Sequence, residues 1–196
     1  MQPKSNIHYL SVEDYLLLED AAKERSEYCN GEIFTMAGGS INHNQISGNV
    51  YVELNSALKK QNYRVYMADV KLWIPQCNSF KYPDVMIIEG QPQYYENRKD
   101  ILLNPLVIIE VLSNSTKDYD RGDKFQQYRT LESLQHYILI NQDNIQVEHF
   151  KKIAPFEWLL TELNQIEATL KLTNPDLTLA LSDIYDRVDL SPSAMS

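Results

Sequence analysis

Leu106-Val107-Ile108-Ile109-Glu110-Val111-Leu112 sets six apolar, mostly β-branched residues around one carboxylate. The run reads as a buried strand, and an unpaired charge within it would be very costly. Upstream lies a second short apolar strand, Val85-Met86-Ile87-Ile88, entered through Lys81-Tyr82-Pro83-Asp84, so that Asp84 stands at the lip of a core strand. Two acidic groups on core strands repel each other unless they share a cation or a proton. The two strands therefore point to an α/β fold with a metal site at the sheet.

The rest of the chain fits that frame. At 196 residues and 43% hydrophobic content it is long enough for a substantial core, and a single domain over 1–196 is expected, with 191–196 as a flexible tail. The N-terminus has no apolar stretch of signal-peptide length and no run approaches a membrane span, so a cytoplasmic protein is expected. Cys29 and Cys77 lie outside any CxxC spacing and receive no role. The formal net charge of -9 argues against wrapping nucleic acid over the whole surface, because phosphate binding is mainly neutralisation by Lys and Arg. It leaves room for an enzyme that meets one phosphate at a metal in a locally basic cleft.

Ser11-Val12-Glu13-Asp14 resembles a capping box and opens a short helix. Asn30-Gly31 suits a tight turn between strands at 26–29 and 32–36, and Ala37-Gly38-Gly39-Ser40 breaks the pattern. From about Asn42 the apolar positions Ile46, Val50, Leu54 and Leu58 recur every fourth residue, which predicts a helix of about five turns. Strands are expected at Tyr63–Met67 and Val70–Ile74, a loop at Pro75–Phe80, and a surface loop at Glu89–Asn104. Ser113 to Thr116 offers an N-cap for a helix at roughly 118–132, with Gly122 unfavourable near its start. Strands follow at Tyr137–Ile140 and Ile145–Phe150 around a turn, while 157–162 and 177–181 carry no decisive pattern.

Asp84 and Glu110 are separated by enough chain for two neighbouring antiparallel strands, which could bring both carboxylates to one end of a sheet. Mg²⁺ suits such a site, because it binds through one or two carboxylates and keeps waters. A lysine two residues past the second carboxylate would ordinarily orient the attacking water, but that position is Leu112. Asp120, Lys124 and Tyr128 share one helical face, from which Lys124 could reach a bound phosphate. Plainer alternatives stand beside each assignment: an exposed Asp120–Lys124 pair worth about 0.3–0.5 kcal/mol, a turn role for Asp84 and a structural ion pair for Glu110.

Tyr82-Pro83-Asp84-Val85, then Pro105 through Thr116, then Asp120, Lys124 and Tyr128 resemble the signature of the Uma-two family of restriction endonucleases, within the PD-(D/E)XK nuclease superfamily. The similarity extends to Glu27 with Asn30-Gly31-Glu32-Ile33, to Ser40 and His43 at the head of the long helix, and to the 177–185 ending. Departures fall at Asn114, where the family often has proline, and at Tyr137-Ile138, where it often has Tyr-Trp. The resemblance implies a restriction-endonuclease-like fold, a central mixed β-sheet flanked by helices. It also implies Asp84 and Glu110 as metal ligands, and a motif lysine displaced onto the following helix, at Lys124.

The expected activity is then Mg²⁺-dependent hydrolysis of DNA phosphodiester bonds, with Mn²⁺ as a substitute ion and the Val111 carbonyl as a further ligand. Double-strand cutting favours a homodimer. Glu27 and His43 are supporting candidates, as part of the metal environment and as a base or outer donor; a surface charge on the hairpin and a helix-start hydrogen bond are their plainer readings. His136 and His149 show no ligand spacing. The alternative function is a catalytically idle nuclease fold that binds DNA or protein.

Overall fold

The computed structural model describes residues 9–36, 38–113 and 117–190. Ala37, most of the expected N-cap at 113–116 and the expected tail at 191–196 lie outside them. Ser11 caps α1 (Val12–Ala21) by accepting from the Asp14 amide. Asn30 and Gly31 adopt φ of 47° and 97° and turn β1 (Ser26–Cys29) into β2 (Glu32–Thr35). Ser40 caps the long α2 (Ile41–Ala57), whose Ile46, Val50 and Leu54 are buried as the four-residue spacing predicts.

The apolar run becomes β9 (Val107–Leu112), buried at every position. It lies at the centre of a six-stranded mixed sheet. β9 pairs antiparallel with β6 (Val85–Glu89), which pairs with β3 (Tyr63–Met67). On its other side β9 runs parallel to β10 (His136–Asn141), followed by antiparallel β11 (Val147–Ala154) and β12 (Glu157–Leu163). Strands covered on both faces read as continuous hydrophobic runs, which is why β6 and β9 were legible.

One face of this sheet packs against α2, against the hairpin of β13 (Thr169–Thr173) and β14 (Asp176–Ala180), and against α5 (Leu181–Ile184). The other face packs Met86, Ile88, Ile108 and Leu139 against Leu72, Ile74, Phe125 and Tyr128. The first two of these partners belong to β4 (Lys71–Ile74) of a second six-stranded sheet, whose order is β2-β1-β5-β4-β8-β7. This sheet corrects the expected loops. Residues 79–81 form β5 (Ser79–Lys81), and the 89–104 segment contains β7 (Tyr94–Tyr95) and β8 (Arg98–Leu102). Strands of three and two residues are too short to show alternation, and β8 opens with the charged Arg98, Lys99 and Asp100 before Ile101 and Leu102 reach the core.

The expected 118–132 helix is also shorter and irregular: α3 (Lys117–Tyr119), a π-helical turn at Asp120–Lys124, then α4 (Phe125–Tyr128). Leu131 and Leu134, just beyond it, are buried without being helical. Among the described residues no helix is long and apolar enough to cross a membrane.

Candidate active site

The β6–β9 register pairs Val85 with Ile109, so Asp84, one residue before β6, stands next to Glu110. Side chains alternate along strands, so Asp84 falls on the face of Met86 and Glu110 on the face of Ile108, which is the same face. Asp84 Oδ2 accepts from the Val111 amide at 2.7 Å, and Oδ1 accepts from His43 Nε2 at 2.8 Å. Those contacts exceed the turn role weighed for Asp84. His43 makes the helix-start hydrogen bond weighed for it, its backbone N–H donating to Ser40, and its ring reaches Asp84 as well.

Glu110 is 3% exposed; its Oε1 accepts from the Tyr128 hydroxyl at 2.7 Å and from Lys124 Nζ at 2.9 Å. The ion pair weighed as an alternative for Glu110 is therefore present. The exposed Asp120–Lys124 pair is not: both residues are buried, 3.3 Å apart, inside the π turn. π turns add one residue to a helical turn and recur at functional sites. Here the turn follows β9 closely and brings Lys124 back over Glu110.

Glu27 corrects its reading as a hairpin surface charge. Its carboxylate is buried, with Oε1 3.5 Å from Lys124 Nζ and Oε2 2.9 Å from Lys81 Nζ. Lys81, fully buried on β5, also donates to the Tyr119 hydroxyl at 2.7 Å. Sequence reasoning missed Lys81 and Tyr119. The available signal was a lysine between Phe80 and Tyr82, and the assignment of 75–80 to a loop concealed it.

Burial pushes the Glu110 carboxyl up, and the Asp84 and Asp120 charges add to the shift against the opposing Lys124, to about 8. Burial disfavours charge on Lys124 as well, but the surrounding carboxylates, Glu110 first, outweigh it and hold the ammonium well above its usual range. The same contest leaves Glu27 lowered by Lys124 and Lys81, and Lys81 raised by Glu27 and Tyr119. Burial also works against an imidazolium at His43, yet the Asp84 hydrogen bond raises it.

Glu27, Asp84, Glu110 and Asp120 thus cluster around Lys124 and Lys81, four carboxyl groups to two ammonium groups. No three His, Cys, Asp or Glu side chains among the described residues converge as a complete metal cage. Mg²⁺ does not require one, since it uses one or two carboxylates and keeps several waters. Asp84 and Glu110 supply hard oxygen donors on one face, and a divalent cation there would favour the ionised Glu110 that burial and the neighbouring acids disfavour, so the residues fit the ion.

Comparison with known proteins gives the chain its family. The model of the family described as "Uma2: Putative restriction endonuclease" matches residues 12–182. Two Synechocystis proteins are similar to the chain. "Uncharacterized protein sll1609" is 41% identical over 154 residues, covering 79% of this chain and 87% of its own. "Uncharacterized protein slr1290" is 31% identical over 183 residues, covering 93% and 95%. A crystal structure from Anabaena variabilis, described as "a putative nuclease belonging to DUF820", superposes with a TM-score of 0.74 at 20% identity, over 90% of this chain and 97% of that one. The fold is thus one seen in a protein assigned as a nuclease, and by the family match and the coverage of its relatives the chain belongs to the Uma2 family.

Proposed function

We propose that the chain is a Mg²⁺-dependent endonuclease that hydrolyses phosphodiester bonds in DNA. The observation that carries this reading is the return of Lys124 to within 2.9 Å of Glu110, beside Asp84, by a π turn that supplies the lysine the strand itself lacks.

Asp84 and Glu110, with the Val111 carbonyl, would hold the ion, which when bound would acidify water and offset phosphate charge. His43 and the Val111 amide fix the two oxygens of Asp84, and Tyr128 fixes Glu110, so neither carboxylate must reorganise during the reaction. The Lys124 ammonium would stabilise the charge that builds on a non-bridging phosphate oxygen as the water gives a proton to solvent and joins phosphorus, while the ester P–O bond breaks and the leaving oxygen takes a proton from solvent. Glu27 and Asp120 hold that ammonium in place.

The test is incubation of plasmid DNA with the protein in Mg²⁺ and in Mn²⁺, beside binding in Ca²⁺. Nicked or linear product that needs the metal is the expected result. Binding without cleavage across varied DNA substrates and metals overturns it in favour of a catalytically idle module. Cutting of both strands needs two such sites, and a homodimer supplies them; sedimentation at one subunit mass on uncleaved DNA argues against that assembly.

A further inference from the structure

We infer that Lys81 is a positioning residue of this site: clamped between Glu27 and Tyr119, it aims the second oxygen of Glu27 at Lys124 and so sets where the Lys124 ammonium stands. The inference rests on the nuclease reading above and names a residue that reading does not use.

Three observations carry it. The Lys81 side chain is 0% exposed, and a lysine so placed must be fully partnered, because an uncompensated buried charge is strongly destabilising. Its partners both lead to Lys124. One is Glu27: a carboxylate is planar and rigid, so anchoring Oε2 on Lys81 at 2.9 Å fixes the direction of Oε1, which lies 3.5 Å from Lys124 Nζ. The other is Tyr119, the residue immediately before the π turn that carries Lys124. Lys81 therefore grips both the counter-ion of Lys124 and the segment from which Lys124 projects. The ties cross between β5 of the second sheet, the β1 hairpin and the helical segment after β9, so Lys81 couples three elements at the site.

A lysine acting this way has two consequences that a plain core lysine lacks. Without it Lys124 is less well placed, which lowers turnover without weakening DNA binding. Removal of one positive charge from a carboxylate-rich cluster also strengthens its attraction for a divalent cation, whereas simple loosening of the fold weakens it.

The experiment compares wild type with Lys81→Met, Tyr119→Phe, Glu27→Gln and the Lys81→Met/Glu27→Gln double variant. Thermal melts monitor folding, calorimetry measures Mn²⁺ affinity without DNA, and plasmid cleavage in Mg²⁺ gives kcat and KM. Lys81→Met is expected to lower kcat about 10-fold at unchanged KM, and to tighten Mn²⁺ binding about 3- to 10-fold. Its effect on kcat should shrink in the Glu27→Gln background, because one of its two routes to Lys124 is then gone. Unchanged kcat and Mn²⁺ affinity in a folded Lys81→Met protein, weaker Mn²⁺ binding, or fully additive effects on kcat in the double variant overturns the inference. Should Lys81→Met fail to fold, Tyr119→Phe decides: a fall in kcat of about 3-fold with the melting temperature kept supports the clamp, and no change overturns it. Should the wild type cleave nothing, the nuclease reading fails while the Mn²⁺ affinity of Lys81→Met still judges the role of Lys81, tightening supporting it and weakening or no change overturning it.

Discussion

At the scale of single residues, Glu110 concentrates the cost and the chemistry of the site. It is a carboxylate in a strand buried at every position, flanked by Asp84 and held by Tyr128 and Lys124. Glu110→Gln keeps the shape and an oxygen to accept from Tyr128 and Lys124 but removes the charge, so we expect a folded protein whose Mn²⁺ affinity falls at least about tenfold. Calorimetric titration reads this directly, and equal affinity would make Glu110 purely structural. Lys124→Ala should lower single-turnover cleavage about 100-fold or more, as loss of one preorganised charge donor does, with DNA binding in Ca²⁺ nearly unchanged. A general phosphate contact would behave oppositely, weakening binding and reducing its salt dependence by about one unit of slope. Asp84, Glu110 and Lys124 were legible because a charge inside an apolar strand demands a partner, and because four-residue spacing puts Asp120, Lys124 and Tyr128 on one side of a turn. Glu27 was legible only through family resemblance, and Lys81 was missed: its place between Phe80 and Tyr82 hints at burial, but nothing local points to a partner 54 residues away.

At the scale of elements, the π turn decides where Lys124 points, and it coincides with Gly122. A regular α-helix through this stretch would place side chains on a 3.6-residue period; the π turn closes on an i→i+5 bond and shifts everything after it. Gly122 lies inside that turn, where its lack of a side chain lowers the cost of departing from α geometry. A Cβ added there meets nothing within 4 Å, and the backbone is not in the left-handed region. Gly122→Ala is therefore expected to raise stability by about 0.5–1 kcal/mol, because alanine loses less backbone freedom on folding. Chemical denaturation measures the gain, and a loss would show that the turn needs glycine for its shape. Periodicity predicted the helix but not this irregularity, since one added residue leaves the apolar spacing of Phe125, Tyr128 and Leu131 readable as ordinary helix. The same limit hid β5, β7 and β8. Long α2 and fully buried β9 carry their own patterns, whereas strands of two and three residues are defined by the neighbours that pair with them.

At the scale of the whole molecule, the two sheets and their helices must stay folded in the pH range where the site works, and a second buried pair bears on that range. His136 Nδ1 and His149 Nε2 lie 2.8 Å apart on the neighbouring strands β10 and β11, with both side chains buried. Sequence spacing gave no hint of this contact, which the β10–β11 register creates. Burial lowers His136 to about 3, with the neighbouring His149 and Lys151 adding to the shift, and burial followed by Lys151 lowers His149 to about 4. Both rings are neutral in the folded chain at neutral pH, one donating to the other. The unfolded chain, with histidines near 6.5, takes up these protons first as pH falls. The pair's contribution is thus fully present above about pH 6.5 and is lost as pH falls toward 4, at up to about 1.4 kcal/mol per pH unit for each proton involved. His43 works in the opposite sense: its raised affinity for a proton adds stability below about 6.5 and loses it as pH rises. The comparison must therefore be between wild type and a His136→Gln/His149→Gln variant, whose amides can still bond each other but cannot be protonated in this range. Urea unfolding at pH 7.5, 6 and 5 should show the wild type losing stability faster than the variant across that interval. Parallel curves would mean that the pair opens to water and takes up protons without unfolding the sheet.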